Sequence, residues 1–231
     1  MHRLTHFTLC PLSRSIRLAL GECAREFELA EERPWEWPKS LLALNPAGEL
    51  PVLQLDGGPT LCGAYAIFEY LAEEQSPQTG DNRAVGLFPD GREARAETRR
   101  LIDWFHRKLD REVTRELMAE RVYPCLSGGP VKAPEVDVLR AIQANLRYHM
   151  SYIDHLADQR HWLAGEELSF ADLAAAAHLS MADYLGEVRW EEHGAAKAWY
   201  ARVKSRPSFR PLLGDRVASL RPPPHYADLD F

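Results

Sequence analysis

Two kinds of hydrophobic pattern divide the chain: short strand-like runs near the N-terminus and long helical repeats after them. Short apolar or alternating runs bounded by turn residues predict strands over residues 3–9, 27–30, 52–55 and 60–62. A helix follows Pro11, with Ser13 as its cap, an apolar inner face, and Arg14 and Arg17 on the solvent side. A second helix over 64–74 completes a β-α-β, β-β-α order.

Every periodic segment after residue 92 is helical. Apolar positions recurring about every four residues predict two long helices over 93–121 and 138–156, which should pack antiparallel. Ser169 and Asp172 have the spacing of a capping box, in which each side chain bonds a backbone N–H of the other's turn. This box should open a buried helix over 170–185, followed by helices over 195–204 and 209–217. The prolines from Pro222 onward predict an extended tail over 221–231.

The charge balance also changes along the chain. The chain has 28 basic and 34 acidic residues. Before Ser76 there are 6 basic and 11 acidic residues, and after it there are 22 basic and 23 acidic residues. A turn-rich stretch, 75–82, lies at this change. We therefore predict an α/β domain over 1–76, a linker over 77–91, an all-α domain over 92–217 and a tail over 218–231.

Composition narrows the class of protein. The 231 residues are 45% hydrophobic and carry a net charge of −6, which gives no general attraction to nucleic acid or to anionic lipid. The longest apolar-rich stretch, 173–182, is too short to cross a bilayer, and no signal-peptide pattern is seen, so we expect a cytoplasmic protein. The four cysteines lack metal-ligand spacing, so we expect thiols and no metal site. His178 is predicted as a hydrogen-bonded core residue.

One stretch, Asn45-Pro-Ala-Gly-Glu-Leu-Pro-Val-Leu53, is the most informative motif. Together with the order of elements and with Leu163-Ala-Gly preceding Ser169-Phe-Ala-Asp172, it resembles the glutathione transferase superfamily over residues 3 to about 213. The resemblance implies a thioredoxin-like α/β domain followed by an all-α domain. It also implies a cis peptide bond before Pro51, which turns the backbone of Leu50 toward a ligand.

Cys10 lies where related enzymes carry a catalytic Tyr, Ser or Cys. A helix N-terminus, with Arg14 and Arg17 nearby, favours the thiolate. A glutathione transferase or thiol transferase using Cys10 is therefore one reading of the sequence. A reversibly oxidised redox sensor and a small core thiol are the others.

Gly63 and Ala64 stand where active members of the superfamily usually have Glu-Ser or Gln-Ser. Those side chains hold the γ-glutamyl end of glutathione, at about 1.5–3 kcal/mol for each hydrogen bond to a charged group. Losing two such bonds weakens binding by roughly two to four orders of magnitude. We therefore expect a degenerate site at Leu50, Pro51, Gly63 and Ala64, and no cofactor, unless Arg14, Lys39 or a partner subunit compensates.

Trp35 and Trp37 lie between prolines in the loop after the second strand. Two rigid indoles of this kind predict a protein–protein contact surface. Burial of both indoles by their own chain is one alternative, and a role in the wall of a ligand groove is another.

The C-terminal tail is a second candidate contact surface. Three prolines favour an extended conformation, and Asp228, Leu229 and Phe231 alternate charge with apolar area, as in a segment that docks on another protein. The alternative is a tail folded back over its own helices.

These departures together resemble an alphaproteobacterial branch of the superfamily that binds the tubulin-like division polymer FtsZ. The likeness lies in the segment after Pro11, in Gly63-Ala64, in the Trp loop and in the ending. It implies a non-catalytic homodimeric adaptor at the division site that organises FtsZ filaments. It further implies that the tail links these filaments to septal wall synthesis.

Overall fold

The computed structural model describes residues 1–74, 86–128 and 133–229. Most of the predicted linker over 77–91, and Phe231, lie outside these residues.

A four-stranded mixed sheet forms the core of the first part. Its strands are β1 (His2–His6), β2 (Phe27–Glu31), β3 (Val52–Gln54) and β4 (Thr60–Cys62). They lie in the order β2-β1-β3-β4, with β1 parallel to β2 and antiparallel to β3. Helices α1 (Pro11–Glu22), α2 (Lys39–Leu44) and α3 (Ala64–Glu74) complete the predicted order. The first strand is shorter than predicted, because the backbone turns where the Cys10 N–H donates to the Phe7 carbonyl.

Helices make up the second part. The long helix α4 covers 92–126 and contains wider π-helical turns over Trp104–Thr114 and Met118–Val122. It packs on α5 (Val136–Gln159), and the contacts Glu97–Arg160, Trp104–His149 and Glu112–Asn145 run in opposite directions along the two helices. The predicted antiparallel pair is therefore confirmed. In the described residues, no helix is both long and apolar enough to span a bilayer.

A fully buried helix, α6 (Phe170–Tyr184), joins the two parts. The predicted capping box opens it: the Ser169 N–H donates to Asp172 over 3.0 Å, and the Ala171 N–H donates to the Ser169 hydroxyl over 3.2 Å. Helix α1 packs along one side of α6, and Phe68 of α3 contacts Phe170 with ring centroids 4.5 Å apart.

The chain ends differently from the prediction. After α7 (Gly194–Lys204), the helix expected over 209–217 is only a 3₁₀ turn, Pro207–Phe209, and one α-helical turn, Arg210–Leu213. The tail expected to be extended folds back instead. Its 3₁₀ turn, Pro224–Ala227, buries Tyr226 completely.

The placement of two arginines on α1 was also wrong in the sequence interpretation. Arg14 is fully buried and Arg17 is 4% exposed, because α1 is covered on its second side by α6 and by the chain's C-terminal segment. Ser13 does not cap the helix. The N-cap position is Cys10, and the Ser13 side chain is fully buried.

Candidate functional site

Cys10 lies at the N-terminus of α1 but is not activated there. Cys10 is only partly exposed, and it packs against the hydrophobic core. Burial raises the pKa of its thiol, and it outweighs the opposing effect of hydrogen bonds from the Ser13 hydroxyl and from nearby backbone N–H groups, while the charge of Asp110 adds a smaller effect in the same direction as burial. The thiol is therefore a poorer nucleophile than an unperturbed cysteine at neutral pH.

The two arginines expected to assist Cys10 are committed elsewhere. Arg17 donates two hydrogen bonds, of 2.8 and 2.9 Å, to the Asp215 carboxylate. Arg14 donates to Asp215, to the Thr8 carbonyl, and to the hydroxyls of Ser180 and Tyr226, over 2.8–3.1 Å. Arg14 is thus held by four partners inside the protein, and it is not available to hold a ligand in the groove.

Aromatic side chains form the wall beside Cys10. Trp35 lies edge-on to Phe7, with centroids 4.9 Å apart, and 4.6 Å from Tyr123. Burial, with a smaller effect of the Cys10 charge, raises the pKa of Tyr123 to about 12, which keeps its phenol neutral. Trp35 is partly buried and anchors its loop to the core, and its contact with a partner stays a prediction.

The predicted degenerate site comprises Leu50, Pro51, Gly63 and Ala64. The Leu50–Pro51 peptide bond is cis, as the resemblance implied. The Gly63 N–H donates to the Pro51 carbonyl over 2.9 Å, so this backbone donor is already used. Gly63 has a φ of +86° and open space where a Cβ would lie, and Ala64 is buried. Positions 63 and 64 therefore offer a ligand no polar side chain.

Trp37, in contrast to Trp35, is 63% exposed. Its backbone is left-handed, with a φ of +49°. Its ring lies so close to Gly48 that a Cβ there would be 2.8 Å from a ring carbon. The indole is thus both exposed and held in place, as expected of a preorganised contact residue.

The folded-back tail is held at several points. His225 bonds the buried Asp183 over 3.1 Å, and the Lys204 ammonium donates to the carbonyls of His225 and Asp228. The Asp228 side chain is nevertheless exposed, and Leu229 is 39% exposed. The structure therefore presents Asp228 and Leu229 at the surface, just beyond the anchored Tyr226.

Buried polar clusters are what the sequence interpretation missed. His178 was correctly predicted as a hydrogen-bonded core residue, but its partners His106, at 3.0 Å, and Thr114, at 2.9 Å, were not identified. Thr114 in turn donates to Asp110, the carboxylate that acts on Cys10. Their spacing of four along α4 places Asp110 and Thr114 on one face, which is the one signal the sequence offered.

The four cysteines are Cys10, Cys23, Cys62 and Cys125. All four lie in the described residues, and no disulfide joins them. The described part of the chain also contains no cluster of three or more His, Cys, Asp or Glu side chains arranged to hold a metal ion.

Two protein-family models match the chain. Residues 9–74 match "Glutathione S-transferase, N-terminal domain", and residues 116–207 match "Glutathione S-transferase, C-terminal domain". Mouse glutathione S-transferase theta-1 is 31% identical over 163 residues, which is 70% of this chain and 64% of that protein.

Other proteins are more similar to this chain, and their similarity extends over its whole length. FtsZ-localized protein A of Caulobacter vibrioides is 44% identical over 233 residues, covering 99% of this chain and 97% of that protein. The solved structure of FzlA from C. crescentus has a TM-score of 0.91 at 43% identity, covering 100% and 99% of the two chains. A structure described as a glutathione S-transferase from Sinorhizobium meliloti 1021 has a TM-score of 0.93 at 47% identity, with both chains fully covered.

Proposed function

Because the chain belongs to the glutathione S-transferase superfamily, we propose that it uses this fold as a non-catalytic adaptor that binds and organises FtsZ filaments in cell division. The observation that carries the proposal is the 44% identity to FtsZ-localized protein A along 99% of the chain. In this proposal the protein is a cytoplasmic homodimer at the division site. Its tail links the filaments to septal wall synthesis.

The chemistry of the inherited groove supports binding without catalysis. The Cys10 thiol has a raised pKa, and Gly63 and Ala64 bring no side chain that could hold a γ-glutamyl group. An adaptor does not need a reactive group. It needs exposed binding surfaces, and each surface has to be present more than once in the assembly. A two-fold dimer presents each surface twice, so it can bridge two subunits or two filaments by avidity.

Trp37 is the residue we propose for the polymer-facing surface. An exposed tryptophan held in one position has a large apolar area and little conformational entropy to lose on binding. Trp35 supports this surface from beneath by fixing the loop to Phe7 and Tyr123.

Co-sedimentation with polymerised FtsZ tests the proposal. We expect the protein to pellet with filaments, and Trp37→Ala to weaken this binding roughly 30-fold, since truncating a hot-spot tryptophan costs about 2 kcal/mol. Val136→Ala, at a 60% exposed position on α5, is the matched control and should bind normally. Failure of the unmodified protein to pellet with filaments would refute the function. Normal binding by Trp37→Ala would refute this surface alone.

The tail is tested separately with Asp228→Lys. Asp228 is exposed but its charge also acts on the buried Lys204 ammonium, so we expect the variant to alter downstream activity more than folding, with co-sedimentation unchanged. Division in cells carrying the variant should be altered if Asp228, Leu229 and Phe231 engage a second partner. Normal division with normal filament binding would contradict the proposed role of the tail.

A glutathione-dependent enzyme using Cys10 is the second candidate. The observations that favour it are the cis bond before Pro51 and a partly exposed cysteine at a helix N-terminus. If this candidate were correct, the unmodified protein would bind glutathione at micromolar concentrations and Cys10→Ser would lose turnover.

Restoring the missing side chains tests why glutathione is not held. We expect the double variant Gly63→Gln, Ala64→Ser to gain at least about fivefold in glutathione affinity, measured by calorimetry. Two new hydrogen bonds to charged groups, at about 1.5–3 kcal/mol each, exceed about 1–2 kcal/mol of strain at the left-handed position 63. Gly57→Gln introduces the same side chain at another positive-φ glycine with open space, and it should gain nothing. No gain in the double variant would show that the site is lost for another reason.

A further inference from the structure

A groove of about 730 Å³ lies between the loop after Leu213 and the folded-back tail. Its walls come from one continuous stretch, and the lining residues used below are Arg216, Val217, Leu220, Arg221, Pro222 and Pro223. We refer to it as the tail groove. It is separate from the Cys10 groove and does not include Trp37.

The walls of the tail groove are fixed to the protein core. The buried Tyr184 hydroxyl accepts from the Val217 N–H over 3.1 Å and donates to the Leu220 carbonyl over 3.0 Å. Just before the groove, Asp215 is held by Arg14 and Arg17, and just after it Tyr226 is buried. Pro222 and Pro223 restrict the backbone conformation of the other wall. A site with rigid walls loses little entropy when it binds a partner.

The tail groove is basic on an acidic protein. Arg216 and Arg221 are both exposed at its rim. Arg216 donates through one terminal nitrogen to the carbonyls of Leu213 and Asp215, and neither guanidinium forms an ion pair within the described chain. Both charges are therefore available to an external carboxylate.

The neighbouring surface differs from the tail groove in charge. On the other side of the 216–218 loop, a second groove of about 370 Å³ is lined by Glu31, Glu32 and Glu36 together with Arg33 and Arg216. Among the described residues that line the tail groove none is acidic, so an acidic ligand is favoured there over the second groove. With a net charge of −6, the protein as a whole repels anions, so an acidic ligand has to be held by this local positive charge.

We propose that the tail groove binds an extended acidic peptide segment of a partner protein. Arg216 and Arg221 would pair with its carboxylates, and Val217, Leu220 and the prolines would contact its apolar side chains. The guanidinium group suits carboxylates because it can donate two parallel hydrogen bonds. This inference does not depend on FtsZ binding.

Fluorescence anisotropy with a labelled synthetic peptide, Glu-Glu-Leu-Glu-Pro-Glu-Leu-Glu, tests the proposal on the full chain. We expect saturable binding that weakens as salt is added, because the contacts are exposed ion pairs. The double variant Arg216→Glu, Arg221→Glu should bind at least about tenfold more weakly. Arg92→Glu, Arg140→Glu makes the same change in net charge at exposed positions elsewhere and should bind normally. Matching thermal unfolding of the two variants establishes that both are folded.

Each other outcome overturns the inference. Absence of binding at about 1 mM protein, or equal binding by both double variants, would show that this groove does not recognise acidic peptides. Binding of heparin or anionic vesicles through Arg216 and Arg221, without binding of the peptide, would assign the groove to another class of partner. None of these results bears on co-sedimentation with FtsZ, so the two proposals fail separately.

Discussion

Replacing Asp215 by asparagine is expected to lower the free energy of unfolding by about 3–5 kcal/mol, because it leaves buried arginines without their counter-charge. Arg14 and Arg17 are 0% and 4% exposed, and Asp215 is the carboxylate that pairs with both. The asparagine side chain has nearly the same shape, so the loss reports charge rather than packing. Adding Arg17→Met to Asp215→Asn should recover part of the loss by removing one uncompensated charge.

Urea denaturation followed by circular dichroism measures this effect. Asp103→Asn is the matched control, since Asp103 also accepts two hydrogen bonds from an arginine, Arg107, but both side chains are more than half exposed. Exposed pairs of this kind contribute about 0–1 kcal/mol. Similar losses in the two variants would contradict the structural role assigned to Asp215.

Acidification from about pH 7 to about pH 5 is expected to lower the free energy of unfolding by about 4 kcal/mol through two histidines. Burial, assisted by the charge of Arg17, lowers the pKa of His6 to about 4, and burial lowers that of His178 to about 3. In the unfolded chain both titrate near 6.5. At about pH 5 both histidines are therefore protonated in the unfolded state and neutral in the folded state. This difference lowers the free energy of unfolding by about 2 kcal/mol per histidine.

The direction of this effect follows from the lowered pKa values. The contribution of the two neutral histidines to the free energy of unfolding is fully present above about pH 6.5. It is lost as the pH falls toward their folded-state pKa values. Burial raises the pKa of Asp172 and Asp183, so these carboxyls oppose the loss by binding protons more tightly in the folded state.

Urea unfolding at several pH values measures the slope. His6→Gln should reduce the loss between about pH 7 and about pH 5 by about 2 kcal/mol, because it removes one of the buried histidines whose pKa is lowered. His155→Gln removes an exposed histidine and should leave the slope unchanged. An unchanged slope in His6→Gln would show that His6 does not contribute to the acid sensitivity.

Local signals in the sequence were sufficient for most of the fold. Ser169 and Asp172 predicted the start of α6 because a capping box uses contacts only three residues apart. The cis bond before Pro51 and the reduced side chains at 63 and 64 were likewise contained in short motifs.

Long-range burial was not predictable in the same way. Arg14 looks solvent-facing in an amphipathic helix, because the pattern gives no sign that a second layer covers it. Its partners, Asp215 and Tyr226, lie about two hundred residues later in the chain. Trp35 and Trp37 have nearly the same neighbours in sequence, and the contacts of Trp35 with Phe7 and Tyr123, which are distant in sequence, distinguish the anchor from the exposed residue.

The Arg14–Tyr226 contact limits how the C-terminal end can be studied by deletion. Cutting the chain before Tyr226 would open the space above α1 and take away an acceptor from a buried guanidinium, so such a truncation would alter the fold at its centre. A deletion that abolishes a cellular activity would then mix damage to the interior with loss of a surface contact. Substitution of the exposed Leu229 keeps these two effects apart.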